Sequence, residues 1–339
     1  MPVSYSVYFV HRQSPGPDMK KLIIWAVLLA GIAYGGSKWY LHHKVESGLD
    51  SAIMTISPFA ELSYDGVSST MSGKLTVNGL RIHIKGFRDE IQVDHFGIDT
   101  PSFFTLLTLA DTAAGKQTAD GDFPEYIGII MQGMRVPVNA DYYQRMHEFG
   151  VDMLNASDID EPAARCVGKY GFSPATLAEL GYDEQLVSFA LYLSKSADRE
   201  KMKITATVAD MWDIDVDLAL ARNTQATSTG PALARRKLGD LRFVLTDRSL
   251  ISRVSEYCGR LGLSPEATLQ AHLDALHFFG ESNGIAFDDK VTGPYKEFLA
   301  GKSTLVVTAQ PPSPVDLTRI RFYKPTDVPA LLNLSVSAE

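Results

Sequence analysis

Cysteine is nearly absent from this sequence: Cys166 and Cys258 are the only two in 339 residues. That excludes a disulfide-dense scaffold, which uses several bridges in place of a large core. Two readings stay open for the pair. They join as one structural disulfide in an oxidising compartment, or they remain two buried thiols. A pairing would close a long loop, worth roughly 4–5 kcal/mol in the chain-entropy view. Positive charge is also scarce. Forty acidic side chains outnumber 32 Lys and Arg, for a formal net charge of −8. No basic stripe follows residue 50, and Arg235-Arg236-Lys237 is the densest basic spot. A nucleic-acid partner is excluded on that ground, because phosphate calls for a positive field.

Motifs that carry chemistry are missing as well. The chain has no GxSxG elbow, no phosphate-binding Walker loop, no GxGxxG after a strand and no HExxH. Asp213, Asp215 and Asp217 invite a calcium reading, since hard cations want clustered carboxylates. Their alternation is that of a strand, however, and reads as a solvated face that discourages edge pairing. His272 and His277 are five apart, the wrong spacing for one helix face. No catalytic residue, cofactor or metal site is assigned. A triad assembled from distant positions keeps an envelope hydrolase as the alternative.

Long apolar runs are absent but for one. Residues 22–36 read LIIWAVLLAGIAYGG, without a charge. Leu22, Ile23, Ile24, Trp25, Val27, Leu28, Leu29 and Ile32 form its body, Lys20 and Lys21 precede it, and Trp39 and Tyr40 suit an interfacial belt. The uncharged core is about 16 residues, at the short end for a span, where roughly 20 are usual. The run is read as a membrane anchor. A cleaved signal peptide and a buried core helix are the competing readings. Gly35-Gly36-Ser37 is a poor cleavage site, and the paired lysines near a terminus argue against a core helix. Met19-Lys20-Lys21 has the form of an exported protein's start, so residues 1–18 are expected to be an upstream extension or a cytoplasmic tail. The expected division is then 1–18 tail, 19–41 anchor, 42–160 first α+β region and 161–339 second α+β region. His42-His43 falls at the expected interface.

What remains is ordinary globular material, 45% hydrophobic and 21% charged. Val45–Ser57 suits an amphipathic helix ended by Pro58. Leu75, Val77, Leu80, Ile82 and Ile84 alternate with polar residues, and Asn78-Gly79 inside the run signals a turn or bulge. Further strands are expected at Tyr126–Val138, Leu186–Leu193, Lys203–Ala209, Trp212–Leu220, Lys237–Thr246, Ser303–Ala309 and Leu331–Val336. Helices are expected after Pro101 and at Tyr142–Leu154, Leu250–Leu261, Pro265–Phe279 and Pro294–Leu299. A short echo links Cys166 through Ser173-Pro174 with Cys258 through Ser264-Pro265, each an apolar-Ser-Pro helix start. Strands in blocks with helices between them predict α+β: one N-terminal transmembrane helix, then mostly antiparallel sheet with helices packed on it.

The lysine-started apolar run, the amphipathic segment and the strand Gly73-Lys74-Leu75-Thr76-Val77-Asn78-Gly79-Leu80-Arg81-Ile82 together resemble the start of AsmA-like envelope proteins, over about residues 19–100. The remainder resembles proteobacterial membrane-anchored envelope proteins. The AsmA-like resemblance implies sheet whose apolar face cradles lipid chains, and it carries over no functional residue. The expectation is an inner-membrane protein with its bulk in the periplasm. It would act as a scaffold or envelope-assembly protein that binds lipid or another apolar ligand on a sheet face. The expected partners are the bilayer and a lipid or envelope protein.

Overall fold

Alternating apolar and polar residues send successive side chains to opposite faces of a strand, and in this chain that pattern builds one large antiparallel sheet. The structure is a computed structural model. It describes residue 40 onward, save residues 41, 52, 114–123, 155–160, 197–198 and 223–235. The strands are β1 (Ala60–Ser63), β2 (Gly66–Ser69), β3 (Lys74–Ile84), β4 (Glu90–Asp99), β5 (Tyr126–Pro137) and β6 (Glu184–Lys195), followed by β7 (Arg199–Val208), β8 (Trp212–Arg222), β9 (Arg236–Asp247), β10 (Thr304–Ala309), β11 (Val315–Asp316) and β12 (Leu334–Ala338). Their order is β1-β3-β4-β5-β6-β7-β8-β9-β10-β12, with β2 also on β3 and β11 also on β9. From β3 to β10 each strand pairs with the next in sequence, so the core of the sheet is a meander. The boundary expected at residue 160 falls between β5 and β6, which pair from Tyr126–Ser194 to Pro137–Glu184.

A phase slip keeps one face apolar. In β3 the apolar set moves from Leu75 and Val77 to Leu80 and Ile82, and in β5 from Ile129 and Met131 to Met134 and Val136. Gly79 and Gly133 sit at these slips with φ of 58° and 66°. Such backbone is cheap for glycine and strained for other residues. A Cβ at Gly79 would collide with the Asp65 carboxylate, and one at Gly133 with that of Asp94. Each carboxylate pairs with the arginine two residues past its glycine, Asp65 with Arg81 at 2.8 Å and Asp94 with Arg135 at 3.1 Å. Asn78-Gly79 therefore makes no turn. The strand runs through it.

Helices occupy the borders. They are α1 (residues 42–51 and 53–56), α2 (Phe103–Ala113), α3 (Asp141–Leu154), α4 (Pro162–Cys166), α5 (Pro174–Glu179), α6 (Leu250–Arg260), α7 (Pro265–Ser282), α8 (Asp289–Leu299) and α9 (Val328–Leu331). Ser173 and Ser264 cap α5 and α7, accepting from Thr176 N and Ala267 N, with proline in the first turn of each helix. The two halves of the sequence echo are thus helix–turn–helix units, α4–α5 and α6–α7. Two boundaries differ from expectation. The helix expected from Pro294 begins at Asp289, because Asp288 caps it by accepting from Lys290 N, and Pro294 lies inside. Leu331 belongs to α9, and Asn333, at φ 46°, separates it from β12.

One part of the expected fold class is corrected. Among the described residues no helix is long and apolar enough to cross a membrane. The longest, α7, has 18 residues and carries Glu266, Asp274 and Glu281, whose charge would be costly in hydrocarbon. The stretch assigned to a transmembrane helix lies outside the described residues up to Trp39. The observed architecture is an antiparallel sheet with helices on its borders.

Candidate functional site

Inter-strand register aligns the apolar positions into continuous rows. One row starts at Leu75 and runs through Ile98, Ile129, Leu191 and Ile204. It continues through Val216, Phe243, Val307 and Val336. A second row begins Val77, Phe96, Met131, Phe189 and ends Ala206, Ile214, Leu245, Leu305, Ala338. Neither row contains a polar side chain across nine strands. A shorter third row, from Ile127 through Leu193, Met202 and Leu218 to Leu241, lies beside the first. At strand spacings of about 4.8 Å the long rows extend roughly 38 Å across the sheet.

The opposite face is mixed: one row runs Ile130, Ala190, Thr205, Asp215, Val244 and Val306, and charge concentrates beside it. Lys203 stands across from Asp217, which stands across from Arg242. Asp215 pairs with Lys203 at 3.4 Å, and Asp213 pairs with Arg248. Nearer the first strands, His95 and Asn78 share a hydrogen bond of 2.8 Å. The three aspartates of β8 thus work as partners in a cross-strand charge pattern. Among the described residues no group of three His, Cys, Asp or Glu is placed to hold a metal.

Burial on the apolar face is uneven. Val45 and Leu106 cover Leu75 and Ile98 at one edge. The disulfide-linked helices α4 to α7 cover Val187, Val208 and Trp212 at the strand ends. Val328 and Leu332 cover Leu218, Leu238 and Leu241 near the other edge. Between these patches, Ile129, Met131, Phe189, Leu191, Ile204, Ile214, Val216 and Phe243 are each partly exposed and belong to no buried cluster. Among the described residues, helix and sheet backbones approach each other most closely at β3, β10 and β12. The described helices border the middle of the apolar strip and do not cap it.

The residues singled out in the sequence fall as follows. Cys166 and Cys258 are fully buried and joined by a disulfide, with Cα atoms 5.2 Å apart. Leu22, Ile23, Ile24, Trp25, Val27, Leu28, Leu29, Ile32 and Trp39 lie outside the described residues. Tyr40 is described and exposed, at 48%. Arg236 pairs with Glu200. Alongside these, at the start of α6, Asp247 Oδ1 accepts from Ile251 N, and burial raises the Asp247 pKa. The sequence signals each strand's apolar side, but not that nine strands align these sides. That alignment depends on register between distant segments.

A family model described as an uncharacterized protein matches residues 197–339. The match takes in β7 to β12 and α6 to α9. No curated protein matches the chain.

Proposed function

We propose that the apolar face of the sheet binds the acyl chains of lipids, and that the protein acts as a lipid-holding scaffold on the periplasmic side of a bacterial inner membrane. The observation that carries this reading is the pair of unbroken apolar rows from β3 to β12, partly exposed at their centre. Contiguous apolar surface left open to water marks a binding or interaction site. Burying it against hydrocarbon releases about 25 cal/mol for each Å² removed from water. A leaflet's hydrocarbon is about 15 Å thick, half of the bilayer core. A strip roughly 38 Å long therefore has room for more than one chain end to end. The buried disulfide supports an oxidising compartment such as the periplasm. The uncharged run at residues 22–36 supports a place at the membrane.

The test is lipid mass spectrometry of the full chain, extracted in detergent beside an unrelated membrane-associated control. Phospholipid should co-purify well above the control, and Ile204→Glu with Val216→Glu should strip it. A lipid content equal to the control's would remove the reading.

A further inference from the structure

A cleft lies among α6, α7 and α8. It has a volume of about 260 Å³. That equals roughly nine waters' share of liquid volume, so its occupant is small. Its walls are apolar where Ile251, Leu269 and Leu299 face it. Of its polar lining, Ser255, Thr268, His272 and Lys296 can each donate a hydrogen bond, and no carboxylate lines the cavity. His272 is mostly buried, and its ring has no hydrogen-bond partner among the described residues. Burial holds it neutral at ordinary pH, with its pKa lowered to about 4. A neutral imidazole offers one N–H and one acceptor nitrogen. Lys296, exposed at the rim, is in no ion pair among the described residues. Pockets that bind small molecules combine apolar walls with a few convergent polar groups, and this one pairs apolar walls with polar groups that can each donate and with no carboxylate.

We propose that this cleft binds a small amphiphile with an apolar body of about eight heavy atoms and one anionic head, the head accepting hydrogen bonds from His272 and Lys296. An anion fits because every polar group of the lining can donate to it. The apolar body fits because Ile251, Leu269 and Leu299 gain by leaving water. A cationic head would meet Lys296 with like charge and find no carboxylate.

The probe is octanoate, titrated into the full chain labelled with ring-15N histidine. The His272 resonance is assigned by its loss in His272→Gln. Octanoate is expected to shift that resonance saturably. Lys296→Met is expected to weaken octanoate about fivefold, the upper range for an exposed ion pair. Leu269→Trp, which fills the cleft, is expected to abolish the shift while the thermal midpoint holds. Octylammonium should bind far more weakly than octanoate. No saturable shift at millimolar octanoate would overturn the proposal. So would equal binding of octylammonium, or an unchanged affinity in Lys296→Met. Loss of co-purified lipid from the sheet face would leave this result untouched, because the two sites share no residue.

Discussion

His272 is a buried titratable group whose effect on stability has a definite sign. Burial lowers its pKa from 6.5 in the open chain to about 4 in the fold. The unfolded chain therefore binds the proton more readily, and protonation favours unfolding. The stabilisation is present in full above pH 6.5 and is lost as the pH falls toward 4. It amounts to about 3 kcal/mol, at roughly 1.4 kcal/mol for each pH unit between the two values. Urea unfolding at pH 7 and pH 4 should show a drop that is smaller by about that amount in His272→Gln. An identical drop in both proteins would contradict the buried neutral imidazole. Nothing near His272 in the chain announces its depth. The pair His272 and His277 reads only as a spacing, while the neighbours of His272 include residues of α6 and α8, segments distant in the chain. By contrast, Ser173-Pro174 and Ser264-Pro265 are legible as helix starts, since a cap and its first turn are neighbours in sequence.

At the scale of elements, the two helix–turn–helix units are held together by a single covalent link. Cys166 ends α4 and Cys258 lies in α6, 92 residues apart. Around the bridge pack Leu177, Val254 and Tyr257, all buried. A loop of that length restricts the unfolded chain enough to be worth about 4–5 kcal/mol. Cys166→Ser with Cys258→Ser should lower the urea midpoint by a corresponding amount, and a reductant should do the same to the natural chain. A midpoint unmoved by either would show that the bridge restrains nothing. Most elements are visible in the sequence because their periodicity is local. The exceptions show where locality fails. Pro294 looks like a helix start, yet Asp288 begins the helix earlier. Asn78-Gly79 signals a turn or a bulge, and the chain takes no turn there: the carboxylate of Asp65 and the guanidinium of Arg81 bracket Gly79 within a continuous strand. Its role becomes clear only beside Gly133, where Asp94 and Arg135 repeat the arrangement on β5.

For the molecule as a whole, the meander makes an amphipathic plate. One face carries Lys203, Asp217 and Arg242 in register, and the other carries Ile204, Val216 and Phe243. Antiparallel sheets commonly bury one face and wet the other. Here the described helices reach the apolar face at its borders, leaving its centre partly exposed. The alternation within each strand is legible in the sequence, and so is the mostly antiparallel sheet. The uncovered strip is not, since whether a helix lands on a strand depends on packing between segments far apart in the chain. Neighbouring residues of β7 provide the most direct measurement. Ile204 faces the apolar rows, and Thr205 faces the other side, opposite Asp215. A photo-crosslinking amino acid placed at each position in turn, and irradiated in intact cells, samples the two faces a single residue apart. Lipid adducts should form at position 204 and be nearly absent at 205. Equal yields at both positions, or adducts at 205 alone, would contradict a lipid-holding face.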